Sequence, residues 1–221
     1  MKIAIVSKFK DEIKGKVKKY FDAVYKNPDF VLAYGGDGTL LFAEKLYPTI
    51  PKIFVKHKSS CRNCKLLNLE EVLKKVASKN YKLKEFIKLE ASVNGKKVIA
   101  LNDINIHYAP PEALRFFVYV NGEKVNNEFI GDGVVVSTPF GSSGYFKSIT
   151  RKKFSKGIGV AFNNTTKSQK PKIVNENLKI VVKISRGKGI VVADNQKPIK
   201  IKKGNKIEIK KFKKNAKIVL V

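Results

Sequence analysis

The sequence predicts an α/β N-terminal domain with a mostly parallel open sheet, followed by a β-rich C-terminal domain. Over residues 1–80, short apolar runs typical of buried strands alternate with segments whose apolar residues recur every three or four positions, as in helices. After Asn80, apolar and polar residues alternate, and Asn-Gly dipeptides separate the runs, as in β-hairpins. We therefore predict domains at residues 1–80 and 81–221, with the last residues packing back on the first domain.

The first 80 residues carry three strand-like runs, at residues 2–7, 30–34 and 53–55. A helix-like segment follows each run. The first shares one apolar face among Ile13, Val17, Tyr20, Phe21 and Val24, and the second begins just after the glycines of residues 35–38. In the third, Asn68 can cap the helix, with Glu71 at the third position.

The second half reads as strands joined by tight turns. Asn94-Gly95 and Asn121-Gly122 are typical of hairpin turns. A helix is indicated after Gly141. The strand-like runs lie at residues 87–93, 98–101, 114–120, 131–137, 178–184, 189–193, 207–209 and 217–221.

The chain is very basic, with 46 Lys and Arg against 18 Asp and Glu, a formal charge of +28 over 221 residues. Such a charge suggests nucleic acid as a partner. However, only four of the basic residues are Arg, and the lysines are scattered instead of clustered, so nucleic acid is a secondary expectation. No apolar run approaches the roughly 18 residues that span a bilayer, and we expect a cytoplasmic protein without a membrane partner.

Cys61 and Cys64 form a single Cys-x-x-Cys pair. One pair cannot complete a tetrahedral zinc site unless His57 and a further ligand join it, so we assign no metal-binding residues.

The first motif with chemical content is Gly35-Gly36-Asp37-Gly38-Thr39, at a strand-to-helix junction. Glycines there let the backbone approach a phosphate, and the helix N-terminus directs free N–H groups at the anion. Asp37 would repel a phosphate unless it accepted a proton or helped to hold a magnesium ion. The alternative is a purely structural turn in which Asp37 caps the helix.

Two further motifs lie in the second half. In one, the run Gly131-Asp132-Gly133-Val134-Val135-Val136-Ser137-Thr138-Pro139-Phe140-Gly141-Ser142-Ser143-Gly144-Tyr145 leads a buried strand into a turn dense with hydroxyl groups and glycines. In the other, Leu101-Asn102-Asp103 ends a hairpin strand, and its amide and carboxylate could hold ribose hydroxyls or an adenine edge.

Together, these motifs resemble the NAD kinase family. In that family a Gly-Gly-Asp-Gly-Thr motif, an Asn-Glu pair and a Gly-Asp-Gly-x-x-Val-Ser-Thr-Pro segment follow one another in this order. Here Asp103 replaces the Glu, and Asp194-Asn195-Gln196 resembles the family's Asp-Gly-Gln. The family's Gly-rich segment after the third strand is missing; Lys56, Lys58 and Arg62 stand there as candidate phosphate partners. Likewise, residues 148–153 replace a glycine turn with positive charge.

The resemblance implies transfer of the terminal phosphoryl group of ATP, or of inorganic polyphosphate, to the 2′-hydroxyl of the adenosine ribose of NAD. It implies that Asp37 is the general base and that magnesium accompanies the donor phosphates. It also implies a homodimer or homotetramer. The donor phosphates would bind at Gly35, Gly36, Gly38 and Thr39, and NAD at Asn102, Asp103, Asp132, Ser143, Gly144, Tyr145 and Ser148.

Two other functions are compatible with parts of the sequence. A lipid kinase of the diacylglycerol or sphingosine type shares the Gly-Gly-Asp-Gly-Thr motif, although the Asn-Asp pair and the Ser-Thr-Pro segment fit NAD kinases better. A non-catalytic nucleotide- or nucleic-acid-binding protein on the same fold is favoured by the missing glycines and the charge.

Overall fold

The structure is a computed structural model that describes residues 1–60, 66–125 and 127–221. It divides into two compact units, Met1–Phe86 with Asn215–Val221, and Ile87–Lys214. The Cys61 and Cys64 pair and Arg62 lie outside the described residues. Within the described part of the chain, none of the helices has the length and apolarity needed to cross a membrane.

The first unit is an α/β layer built on one sheet. Its elements are β1 (Lys2–Val6), α1 (Lys10–Lys18), β2 (Asp22–Ala23), β3 (Phe30–Gly35), α2 (Asp37–Leu46), β4 (Lys52–Lys56), a 3₁₀ turn (Lys58–Ser60), α3 (Leu69–Ala77), β5 (Lys82–Phe86) and the C-terminal β19 (Ala216–Leu220). The described strands follow the order β2-β1-β3-β4-β19-β5, all parallel except β5.

Apolar residues of α1 and α3 pack against one face of this sheet, where Ile13, Val17 and Leu73 join Leu32 and Ile53 in a buried cluster. Asn68 caps α3 as predicted, because its Oδ1 accepts from the N–H of Glu70 at 2.9 Å and of Glu71 at 3.4 Å. The first helix is shorter than predicted and ends at Lys18. The chain leaves it early because Asp22 and Ala23 pair with β1.

The second unit is a β-sandwich. Its elements are β6 (Leu89–Val93), β7 (Lys96–Ala100), β8 (Asp103–Tyr108), β9 (Leu114–Val120), β10 (Glu123–Lys124), β11 (Phe129–Gly131), β12 (Gly133–Ser137), a 3₁₀ turn (Gly141–Ser143), α4 (Tyr145–Thr150), β13 (Ile158–Asn163), β14 (Lys172–Val174), β15 (Ile180–Arg186), β16 (Lys188–Ala193), β17 (Ile199–Lys202) and β18 (Lys206–Lys211). The described strands form two antiparallel sheets, in the orders β10-β9-β15-β18-β6-β7 and β14-β13-β12-β8-β16-β17, with β11 paired to β9.

One apolar core joins the inner faces of both sheets, with Phe116 and Val182 from the first meeting Ile106 and Val134 from the second. Both Asn-Gly turns are confirmed; Asn94 and Gly95 have φ of 51° and 71°, the left-handed conformation that such turns require. The predicted helix after Gly141 is α4. The architecture is the predicted α/β domain with a parallel sheet and β-rich domain.

One sequence expectation is wrong at a point where the chain changes sheets. Residues 131–137 were expected to form one strand, but β11 and β12 belong to different sheets and Asp132 lies between them. Leu101 and Asn102 follow the end of the hairpin strand β7, close to the predicted position, but the chain then crosses to the other sheet, where Asp103 opens β8. Three of the candidate site residues therefore lie at sheet crossings.

Candidate functional site

In the first unit, the glycine-rich motif forms the turn from β3 into α2. Gly35 has φ of +156°, and a Cβ there would lie 2.4 Å from Thr39 Oγ1, so a side chain at this position would displace Thr39. The carbonyl of Gly36 accepts from the N–H groups of Thr39 at 2.9 Å and Leu40 at 3.3 Å. The N–H groups that precede Thr39 belong to the first helical turn, which has no intrahelical acceptors and can bind an anion.

Asp37 is the first residue of α2, and its carboxylate is 72% exposed. Its described partner is Lys56 at the end of β4, with Nζ 3.0 Å from Oδ1. Asp37 does not cap the helix; Gly36 is the N-cap residue, and no side-chain cap hydrogen bond occurs at this end among the described residues. The carboxylate therefore stays available at the helix N-terminus, beside a lysine that could neutralise a phosphate.

His57 is hydrogen-bonded to this turn through its backbone. Only 5% of the residue is exposed, and its ring stacks on Phe9 at a centroid distance of 3.8 Å. Its backbone N–H donates to the carbonyl of Gly35 at 3.1 Å, and its Nδ1 lies 2.6 Å from Ser59 Oγ. These contacts give His57 a structural role in fixing the end of β3.

In the second unit, the turn that carries Asn102 and Asp103 is held by Asp194, which is not among the predicted site residues. The carboxylate of Asp194 accepts from three consecutive backbone N–H groups: Leu101 at 2.8 Å, Asn102 at 2.9 Å and Asp103 at 3.2 Å. The similarity of Asp194-Asn195-Gln196 to a family motif was the only signal that pointed to it.

The Ser-Thr-Pro segment holds the same turn from the other side. Thr138 donates its N–H to the carbonyl of Asn102 at 2.9 Å and its hydroxyl to the carbonyl of Leu101 at 2.6 Å. Gly141 then donates its N–H to Thr138 Oγ1 at 3.1 Å. The two motifs, 35 residues apart in sequence at Asn102 and Ser137, therefore form one hydrogen-bonded structure.

Asp132 and Tyr145 are oriented by neighbouring asparagines. Asn164 donates to Asp132 Oδ2 at 3.2 Å, and Asn163 donates to the Tyr145 hydroxyl at 3.0 Å. Burial raises the pKa of Tyr145 above its ordinary value; the hydrogen bond from Asn163 opposes this shift, and the charges of Asp132 and Asp103 add to it. Asn163 also links Tyr145 to Asp132, because its carbonyl accepts from the N–H of Asp132 at 3.1 Å.

The remaining predicted residues lie in α4 or directly before it. Ser143 and Gly144 are exposed where the 3₁₀ turn meets α4. Ser148 is exposed on α4, and its hydroxyl donates to the carbonyl of Tyr145 at 2.7 Å. No described contact ties these three residues to Asn102 or Asp103.

Near this turn, the Asp103 carboxyl has a pKa that is shifted far from its ordinary value. Burial, with a smaller contribution from the negative charge of Asp194, raises the pKa of Asp103 from 3.8 to about 7. Near neutral pH, a substantial fraction of Asp103 therefore carries a proton and can donate a hydrogen bond as well as accept one.

This pKa predicts a pH-dependent effect of Asp103→Asn on stability. Between about pH 4 and pH 7 the unfolded chain releases the proton while the folded chain keeps it, so stability of the parent falls as pH rises through this window. The loss is at most about 4 kcal/mol, from about 1.36 kcal/mol per pKa unit. We expect the free energy of unfolding of Asp103→Asn relative to that of the parent, measured with denaturant, to be higher at pH 8 than at pH 4. An equal difference at both pH values would contradict the raised pKa.

The described residues hold no cluster of three or more His, Cys, Asp or Glu side chains with metal-binding geometry. A magnesium ion that accompanies a phosphate ligand would not need such a cluster, because it keeps several waters and takes only one or two protein carboxylates. At the glycine-rich turn, the exposed Asp37 carboxylate could supply one such oxygen or could instead accept a proton.

Comparison with known proteins extends these observations. Residues 101–221 match the profile of the ATP-NAD kinase C-terminal domain. An NAD kinase of Saccharolobus islandicus (strain M.14.25) is 32% identical over 166 residues, which cover 72% of this chain and 66% of that protein. An NAD kinase of Clostridium perfringens is 28% identical over 227 residues, covering 95% of this chain and 82% of that protein. The chain thus spans just under two thirds of the length of the Saccharolobus relative.

Two solved structures share the fold. The yeast NADH kinase complexed with NADH matches with a TM-score of 0.88 at 16% identity, covering 100% of this chain and 83% of that one. An NAD kinase from Archaeoglobus fulgidus in complex with ATP matches with a TM-score of 0.78 at 25% identity, covering 99% of this chain and 93% of that one. Both units of the chain therefore have counterparts in these enzymes.

Proposed function

Because the chain belongs to the NAD kinase family, we propose that it transfers the terminal phosphoryl group of ATP, or of inorganic polyphosphate, to the 2′-hydroxyl of the adenosine ribose of NAD. The product is NADP. The observation that carries this proposal is the family match over residues 101–221, which include the Asn102-Asp103 turn and the Ser-Thr-Pro segment. Membership of this family also favours an NAD kinase over a lipid kinase.

In the proposed reaction, Asp37 is the general base. Its carboxylate takes the proton of the ribose 2′-hydroxyl as the oxygen forms a bond to the terminal phosphorus of the donor. The bond between that phosphorus and the bridging oxygen breaks, and ADP, or a shortened polyphosphate, leaves with the electron pair. Exposure of the Asp37 carboxylate at the start of α2 supports this role, because the group can reach a substrate without unfolding the turn.

The donor phosphates would bind at Gly35, Gly36, Gly38 and Thr39, where the N–H groups of the first turn of α2 are available. Lys56, whose Nζ lies 3.0 Å from Asp37 Oδ1, would neutralise phosphate charge in place of the missing glycine-rich segment. Magnesium, carried on the donor phosphates, would neutralise the charge that develops on the transferred group.

NAD would bind to the second unit. Asn102 and Asp103 would contact the adenosine ribose, and Asp132 and Tyr145 would line the rest of the acceptor site. Ser143, Gly144 and Ser148, which are exposed in α4 or directly before it, would complete this lining. A partly protonated Asp103 suits a hydroxyl-rich acceptor, since it can accept from one ribose hydroxyl and donate to another.

The direct test is to incubate the purified chain with NAD, magnesium and either ATP or polyphosphate, and to measure NADP with an NADP-specific dehydrogenase. We expect donor-dependent NADP formation, and the comparison of donors and of NAD with NADH identifies the preferred substrates. A mobility-shift assay with RNA and DNA at physiological salt tests the non-catalytic alternative. A shift without NADP formation would replace this proposal by that alternative.

Lys56→Gln is expected to raise the KM for ATP by about tenfold while leaving the KM for NAD unchanged, because one charge-assisted phosphate contact is lost. Steady-state kinetics with each substrate varied in turn measure both constants. Lys45→Gln is the matched control, since Lys45 is an exposed lysine in the last turn of the same helix that starts at Asp37. Equal effects of both substitutions would point to the general positive charge instead of a specific contact.

We further propose a homodimer or homotetramer, as the family resemblance implies. Mass measurement in solution at low and high salt tests this, because the +28 charge of each chain opposes association most strongly at low salt.

A further inference from the structure

The turn that follows β16 is hydrogen-bonded to the turn that carries Asn102 and Asp103. The Asp194 carboxylate accepts from the N–H groups of Leu101, Asn102 and Asp103, and the Asp194 N–H donates back to the carbonyl of Asp103 at 3.0 Å. Two residues further on, Gln196 Nε2 donates to the carbonyl of Ile99 at 2.5 Å. One short turn therefore contacts both ends of the connection between β7 and β8.

These bonds decide which groups of Asn102 are available to a ligand. Its N–H is used by Asp194, and its carbonyl accepts from the N–H of Thr138 at 2.9 Å and the hydroxyl of Ser137 at 3.3 Å. Its backbone is thus fully occupied, and recognition by Asn102 has to use the side-chain amide. The orientation of that amide follows from the backbone that Asp194 holds.

Asp194 also sets the charge around Asp103. Three residues near Asp103 come from other elements: Asp194 after β16 accepts from its N–H, Ser137 on β12 is its pairing partner in the sheet, and Tyr145 on α4 has a pKa that the charge of Asp103 raises. Tyr145 is in turn influenced by Asp132. Among these groups, Asp194 is the one whose negative charge raises the pKa of Asp103.

We propose that Asp194 is a positioning residue of the acceptor site, which fixes the backbone of Asn102 and Asp103 so that their side chains meet the ribose of NAD. This inference rests on the proposed function. Asp194 acts through the turn that it holds and needs no contact with substrate. A carboxylate is suited to this task because its two oxygens accept three N–H groups at once, which a neutral amide of the same shape cannot do.

The test is Asp194→Asn, which keeps the size of the side chain but places an NH₂ group against backbone donors. We expect the KM for NAD to rise by about 10- to 100-fold, the effect of losing a hydrogen bond to a charged group, with the KM for ATP unchanged. The pH profile of kcat/KM for NAD should also move to lower pH, because the pKa of Asp103 falls when the neighbouring charge is removed. A general loss of folding would not produce this shift.

Asn195→Ala is the matched control, since Asn195 lies in the same turn with an exposed side chain. Amide hydrogen exchange of the free proteins provides a readout that does not depend on activity: residues 101–103 should lose protection in Asp194→Asn and keep it in Asn195→Ala. If Asp194→Asn folds and has the parental KM for NAD and pH profile, the inference is wrong. If the parent itself neither binds NAD nor forms NADP, the proposed function is wrong. Asp194 then cannot position NAD-binding side chains either, whatever hydrogen exchange shows for the turn.

Discussion

Replacing Asp37 by asparagine is expected to lower kcat for NADP formation by about 10²- to 10⁴-fold, the usual contribution of a positioned general base. Asparagine has the shape of aspartate but cannot accept the proton of the 2′-hydroxyl. The fold should be unaffected, because the side chain is 72% exposed and its described contact is an ion pair with the partly exposed Lys56. The KM for NAD should stay within a few-fold of the parent.

The measurement is steady-state kinetics on purified Asp37→Asn beside Asp11→Asn, a control that removes an exposed carboxylate from the first turn of α1 in the same unit. Circular dichroism and thermal unfolding establish that both variants are folded. Near-parental turnover in Asp37→Asn would exclude Asp37 as the base. A comparable loss in Asp11→Asn would instead point to the net charge of the unit.

Local sequence patterns were sufficient to predict the elements whose contacts join residues that are near one another in the sequence. The Asn68 cap bonds to residues two and three positions away, and the Asn94-Gly95 turn joins adjacent strands. The glycine-rich turn was found for the same reason, because Gly35 and Thr39 make their close approach within five residues. In each case the physical cause lies inside the motif itself.

Contacts between residues that lie far apart in the sequence could not be predicted from local patterns. The strand β5 was missed because four of its five residues are exposed and its partner β19 lies about 130 residues further along the chain. The split of residues 131–137 was missed because an apolar run does not show which sheet each half joins. Asp194 was passed over as a functional residue because its three acceptor bonds span more than 90 residues.

Gly141→Ala is expected to disable the acceptor site, because Gly141 allows the 3₁₀ turn to lie directly on the backbone of Asn102. A Cβ at this position would lie 2.3 Å from the carbonyl oxygen of Asn102, 2.5 Å from its carbonyl carbon and 2.6 Å from its Cα. These are backbone atoms, and Asp194 on one side and Thr138 on the other hold that backbone in place. The added methyl group must therefore displace either the 3₁₀ turn or Asn102.

We expect Gly141→Ala to lower kcat/KM for NAD by about 10²-fold, as a displacement of about 1 Å in a positioning group does, and to destabilise the unit by about 1–3 kcal/mol through overpacking. Gly157→Ala separates these effects, since its Cβ would lie 2.4 Å from the carbonyl oxygen of Val174 and none of its close contacts involves Asn102. That control should lose stability but keep the parental KM for NAD. Equal losses of kcat/KM in both variants would mean that stability, and not the placement of Asn102, limits activity. A parental kcat/KM in Gly141→Ala would show that Asn102 is not part of the acceptor site.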